Sequence, residues 1–205
     1  AEHSWFDLRR GSDDEWWRVE VLGPTSGVIQ TRIDAAEARE DVRWERRVFV
    51  LATWHGDVAH RACERILELA AEHPDFGRLE FIKNGETSWT ANRIPAQREE
   101  YAAWPGPNSN TFVVDLVRQT DGLALELDHN AVGKNYARGF RLGRTLDGLG
   151  FEVDTDYLGV GLGLRQGFEF RLLGLTFGVG FWPPAIKIPI VPRIGVQPGW
   201  VSTEF

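Results

Sequence analysis

The sequence predicts an α+β fold in which an antiparallel sheet carries two main helices packed on one side. Three observations lead there: aromatic and β-branched runs early in the chain, two segments of helical periodicity in its middle, and short apolar runs broken by glycine at its end. With 205 residues, 42% of them hydrophobic, the chain suits one domain with a proper core. We read 1–205 as a single domain made of N-terminal strands over 1–55, a helix-containing middle over 56–139 and a Gly-rich β part over 140–205.

The segments from His3 to Leu8 and from Trp16 to Leu22 predict a hairpin around the polar cluster Arg10-Gly11-Ser12-Asp13-Asp14. Val28 to Ile33 and Arg47 to Thr53 extend the sheet, and the charged stretch from Asp34 to Arg47 between them reads as a solvated loop. Asp57 is placed to cap a first helix, whose apolar stripe (Val58, Ala59, Ala62, Cys63, Ile66, Leu67 and Ala70) runs until His73-Pro74 stops it. A second helix is predicted from Asn110 to Arg118, with Phe112, Val113, Leu116 and Val117 on one face, just after Pro105-Gly106-Pro107. Phe81 to Arg98 reads as a long surface loop holding at most one strand.

Consecutive antiparallel strands are then predicted at Phe151–Val153, Tyr157–Leu164, Phe168–Leu173 and Leu175–Phe181. Gly159, Gly161 and Gly163 alternate, which leaves one strand face bare, free to lie against a neighbouring backbone or ring. The tail from Pro184 to Pro198 reads as an extended segment over the body.

Composition narrows the function. A net charge of −7 and a pI near 5.3 leave no global basic field, so nucleic acid is not an expected partner. One cysteine makes neither an internal disulfide nor a thiolate zinc site. Cys63 lies on the apolar stripe of the first helix and reads as packing. The uncharged run from Leu172 to Ile186 is short for a membrane helix and is broken by glycines and Pro183-Pro184, so no transmembrane span is expected. The alternating glycines lack the helix and Lys-Ser or Lys-Thr of a phosphate loop, and no motif calls for a cofactor. The chain has no Met, so Ala1 follows either initiator removal or cleavage of a leader, which leaves cell envelope and cytoplasm both open.

The most specific motif is Trp104-Pro105-Gly106-Pro107-Asn108-Ser109-Asn110-Thr111-Phe112. It sets Ser109 at a helix start, where free N–H groups and the helix dipole stabilise an anion or activate a nucleophile. The competing reading is that Asn108, Ser109 or Asn110 simply caps the helix. Together with His3-Ser4-Trp5-Phe6, Glu20, Ala131-Val132-Gly133-Lys134-Asn135-Tyr136, Leu172-Leu173-Gly174-Leu175 and Pro184-Ala185-Ile186-Lys187, this motif resembles an uncharacterised bacterial domain-of-unknown-function family.

More distantly, the order His3, Glu20, Ser109 resembles the circularly permuted papain-like superfamily of NlpC-type and lecithin–retinol-acyltransferase-like enzymes. That resemblance implies hydrolysis or acyl transfer on an amide or ester of a small molecule, peptide or lipid. Ser109 would be the nucleophile, His3 the base, Glu20 the residue that orients His3, and Asn108, Asn110, Trp104 and Lys134 binding residues. Serine stands where those enzymes carry cysteine, and its hydroxyl needs a positioned base throughout. The alternative is a non-catalytic ligand-binding or structural protein on the same scaffold.

Weaker constellations have bland readings. His55, Asp57 and His60 cluster at a helix start, where capping and solvated imidazoles are the expectation ahead of a metal. Glu99 and Glu100 are adjacent and cannot share a face, so they make no acid pair. Lys134 reads by default as a surface lysine, and most of the nine tryptophans read as core or loop-pinning anchors, with lining a groove as the alternative for several.

Overall fold

The computed structural model describes residues 3–9, 16–23, 27–33, 50–84, 88–98 and 100–196. Strands β1 (Phe6–Arg9), β2 (Trp16–Val21) and β3 (Val28–Ile33) pair antiparallel in sequence order, as the apolar runs predict. Strand β4 (Arg78–Asn84) then joins β3 in parallel and β5 (Ser88–Ile94) closes a five-stranded sheet. Parallel neighbours need a long crossover, and helix α1 (Gly56–Ala71) lies within it.

The hairpin β4–β5 replaces the expected surface loop over Phe81 to Arg98, and Val50 to Thr53 forms no strand. Residues 34–49, which hold the expected charged loop, lie outside the described residues, as do the first hairpin turn, Trp44, Glu99 and Trp200.

Helix α1 buries Ala62, Cys63, Ile66 and Ala70, the predicted stripe. Its N-cap is His55, whose side chain makes no capping bond; Asp57 sits in the first turn, as a carboxylate in the positive end of the dipole. Helix α2 (Ser109–Arg118) buries Phe112, Val113, Leu116 and Val117. Both helices share one core with Phe6, Leu8, Val19, Val21 and Val28, so they cover the same face of the five-stranded sheet. Aromatic edges pack at its centre, with Phe76 and Phe112 ring centroids 5.9 Å apart. Among the described tryptophans, Trp17 and Trp54 pack half-buried against the core, Trp5 and Trp16 are half-buried, and Trp104 and Trp182 are exposed.

The C-terminal strands do not join the N-terminal ones in one sheet, contrary to expectation. Strands β6 (Phe140–Arg144), β7 (Gly150–Thr155), β8 (Leu158–Gly163), β9 (Gly167–Leu172), β10 (Leu175–Phe181), β11 (Pro184–Lys187) and β12 (Ile194–Gly195) form a second sheet, a seven-stranded meander. Successive side chains of a strand point to opposite faces, and here the usual assignment is inverted. Glu152, Asp154, Glu169, Arg171, Thr176 and Lys187 are buried, whereas Phe151, Val160, Phe170, Phe177 and Val179 are exposed. Among the described residues, no helix is long and apolar enough to cross a membrane.

Charge pairing makes the covered face possible. Arg171 bonds Asp154 at 2.8 Å and Glu169 at 3.0 Å, Arg141 bonds Asp154 at 2.6 Å, and Lys187 bonds Glu169 at 2.6 Å and Glu126 at 3.0 Å. Arg118 at the end of α2 pairs with Glu152 and donates to Arg144 O, which ties the helix to the sheet. The glycine stripe makes room for these groups: a Cβ on Gly161 would sit 2.7 Å from an Arg171 guanidinium nitrogen, and one on Gly159 would collide with Asp154 Oδ1. The bare strand face predicted from sequence is thus filled at Gly159 and Gly161 by polar and ionic side chains (Asp154, Gln166 and Arg171), while Gly163 lies against Gln166 and the Gly150 backbone.

Candidate functional site

Helix α2 begins where Asn108 leaves helical geometry and turns its side chain back on the first turn. Its Oδ1 accepts from Asn110 N at 2.9 Å and Thr111 N at 3.3 Å, while Thr111 Oγ1 accepts from Asn108 N at 3.1 Å. That reciprocal pair is a capping box, which satisfies amides that every helix start leaves without partners. Asn108 is therefore the cap, one of the three candidates its sequence allowed.

The other end of the same amide reaches out of the helix. Asn108 Nδ2 donates to Ala103 O at 3.1 Å and Val132 O at 3.0 Å, Asn110 Nδ2 donates to Val132 O at 2.9 Å, and Thr111 Oγ1 donates to Gly133 O at 2.7 Å. The start of α2 is thereby latched to the loop 131–136. Gly133 has φ +85°, and a Cβ there would collide with Asn108 Nδ2, so the close approach requires glycine.

Lys134 follows at once, and its ammonium turns to Leu127 O and Glu169. It is 6% exposed, donates to Leu127 O at 3.0 Å and lies 3.7 Å from Glu169, so the surface-lysine expectation is corrected. Burial lowers the Lys134 pKa, against the pull of Glu169. Burial alone would raise Glu169, but Lys134, Lys187 and Arg171 outweigh it and hold that carboxyl far below the usual range. The turn between β9 and β10 completes the joint: a Cβ on Gly174, at φ +75°, would sit 2.8 Å from Pro105 O. A second tie lies beside it, where buried His129 Nε2 meets Ile188 O at 3.1 Å and Val191 O at 3.0 Å. Its Nδ1 lies 3.0 Å from Asp128, and this pair, with the two carbonyls, raises the His129 pKa against the effect of burial.

His3 and Glu20 meet as well. His3 Nε2 lies 3.0 Å from Glu20 Oε2, with the carboxylate buried and the imidazole partly open. In the register that sets Phe6 opposite Val19, Glu20 points away from the face on which Val19 and Val21 join α2 in the core. Trp5 lies beside His3 with ring centroids 5.7 Å apart, and the Arg18 guanidinium sits 4.9 Å from the Trp5 ring.

Ser109 is the first helical residue, 7% exposed, and its hydroxyl makes no hydrogen bond to His3 or to any other described residue. Trp104 stands exposed at the head of the motif. His55, Asp57 and His60 are exposed around the start of α1, and Glu100 pairs with Arg138 at 2.5 Å.

Residues 1–136 match the model of a family described as proteins of unknown function, DUF3750. The chain belongs to this family. No curated protein and no solved structure matches the chain. The DUF3750 match spans the five-stranded sheet, both helices and the latch loop, and ends four residues before β6 begins at Phe140.

Glu169 and Lys187, which tie the sheet to the DUF3750 region through Lys134 and Glu126, and Arg171, which pairs with Glu169 within the sheet, are not among the candidates drawn from the sequence. Their signal is present as Phe168-Glu169-Phe170-Arg171-Leu172, a strict alternation of apolar and charged residues. Such alternation is ordinarily read with its charges in water. Here the charges are the buried half.

Proposed function

We propose that this DUF3750 chain is a non-catalytic interaction protein whose first 136 residues serve as a mount for the C-terminal sheet. One observation carries the reading: apart from Ser109, the polar residues at the start of α2 and in the loop that follows it are spent on the joint. Asn108, Asn110 and Thr111 are committed to the latch, Gly133 fits against Asn108, Lys134 is committed to Glu169, and Gly174 packs on Pro105. Side chains held this way are rigid supports rather than groups left to meet a substrate.

A second reading is favoured by the His3–Glu20 pair and by the unpartnered Ser109 hydroxyl at a helix start. It is a hydrolase or acyltransferase of amides or esters with the permuted papain-like order. Ser109 would attack the acyl carbon, His3 would take its proton through Nδ1, Glu20 would hold the imidazole, and α2 N–H groups would stabilise the oxyanion. That mechanism requires Ser109 to come within roughly 2.6–3.2 Å of His3 when substrate binds, and it is opposed by the register of β2, which turns Glu20 away from the face that α2 covers.

Labelling with a fluorophosphonate probe separates the two. The interaction reading expects equal, background labelling of wild type and Ser109→Ala. Labelling that depends on both Ser109 and His3 would refute it in favour of acyl transfer.

A further inference from the structure

The outward face of the seven-stranded sheet is the largest feature that the joint leaves unexplained. Register aligns its side chains into rows across the strands: Phe151, Leu162, Phe168, Val179, Ile186 and Ile194 form one, and Leu142, Val153, Val160, Phe170 and Phe177 another. Leu142 and Phe151 are 68% and 69% exposed, and even Phe170, at the middle of the central strand, is 40% exposed. From β7 to β11 this face carries no charged residue; Arg144, at the end of β6, is the exception at its rim.

We infer that this face pairs with the same face of a second copy of the chain, as a two-layer β-sandwich about a two-fold axis near Phe170. Size is the first argument. The seven strands hold 36 residues, and at about 4.8 Å between strands and about 3.4 Å per residue they give a flat area of roughly 600 Å². Side chains standing off that plane raise its accessible area toward the ~800 Å² that each partner contributes to a standard interface. Monomers rarely leave a contiguous apolar patch of this size in water.

Self-complementarity is the second argument. An uncharged face meets its own copy without like-charge repulsion, and two twisted sheets with apolar inner faces pack about 10 Å apart. Phe170 then lies at the centre of the interface, where binding energy concentrates.

A lipid bilayer fits less well. The net charge of −7 opposes an anionic surface, and Asp147 and Asp156 sit in turns at the rim of the sheet. The strands have at most seven residues, against about 9–11 for a spanning strand, and among the described residues the sheet is open at β6 and β12. The inference rests on the interaction reading for its biological meaning, but its test is separate: Ser109-dependent labelling would sink that reading without altering the oligomeric state.

The experiment is sedimentation velocity of the full chain over a hundredfold range of micromolar concentrations, with Phe170→Glu and Val160→Glu alongside. Wild type is expected at twice the 23.2 kDa chain mass, and each variant at the single-chain mass with unchanged far-ultraviolet circular dichroism. If either glutamate variant fails to fold, Phe170→Cys replaces it; oxidation is expected to trap a covalent dimer, since Cys63 is buried. Wild type that is monomeric throughout, a dimer that survives both glutamates, no cross-link in a folded Phe170→Cys variant, or monomers that float with phosphatidylcholine vesicles would each overturn the inference.

Discussion

Replacing Asn108 with alanine is the sharpest test of the latch. The side chain is buried and makes four hydrogen bonds: two accepted from the amides of Asn110 and Thr111, two donated to Ala103 O and Val132 O. Losing an N-cap costs about 1–2 kcal/mol. Val132 O keeps its bond from Asn110 Nδ2 and Ala103 is exposed to water, so the added cost falls on the two helix amides. A buried polar group without a partner costs about 1–3 kcal/mol, part of which is already counted in the cap. We therefore expect Asn108→Ala to lose about 2–4 kcal/mol, measured by urea denaturation. At this chain length the melting temperature should fall by about 5–15 °C. Asn108→Asp keeps the acceptor and adds a favourable charge at the helix start, so it should regain about 1 kcal/mol while the latch stays open. A loss below about 1 kcal/mol for the alanine variant would show that the latch is not a structural joint, because a cap alone is worth that much.

Three further outcomes follow from the same geometry. Gly133→Ala drives a Cβ into Asn108 Nδ2 at a φ of +85°, and thermal melts should show a loss of about 1–3 kcal/mol from strain and overpacking. Glu169→Gln leaves Lys134, Lys187 and Arg171 without their shared carboxylate, and should cost about 3–5 kcal/mol in chemical denaturation, the usual result of breaking a buried pair on one side. For pH, the Glu169 carboxyl is depressed from 4.5, so its contribution is present above that value and is lost as pH falls through the folded-state value. His129 is raised from 6.5, so its contribution is full below 6.5 and is lost as pH rises through the folded-state value. Melting temperature scanned against pH should therefore decline on both sides, with His129→Asn removing the alkaline decline; an alkaline limb identical in that variant would exclude the Asp128–His129 pair as its source.

Local pattern reveals most elements where side chains obey the ordinary rule of apolar inside. Strand β2 and the stripes of both helices fall where periodicity places them, because Val19, Val21 and the helix stripes do face the core. The hairpin β4–β5 is hidden because Arg78-Leu79-Glu80-Phe81-Ile82-Lys83-Asn84 mixes charge with few β-formers, and its pairing partner β3 is far away in sequence. The second sheet's strands are legible, but its separateness is not. Alternation reveals which residues share a face and not which face is covered, and that choice is made here by Arg118, Glu126 and Lys134 from the first part of the chain. At the site, the helix start and the His3–Glu20 approach are both readable. The outward reach of Asn108 is not, since nothing in an Asn side chain declares which carbonyl 24 residues away it will meet.

The buried charges of the second sheet also set an order of assembly. A meander of seven neighbouring strands has only local pairings and would by itself be quick to form. Its charged face, however, can leave water only when Arg118, Glu126 and Lys134 are already in place to meet it. These groups lie upstream, so a ribosome delivers the mount before the sheet it must seat. A fragment beginning at Phe140 would keep the ion pairs within its strands but lack Arg118, Glu126 and Lys134, the three upstream partners that complete its charged face.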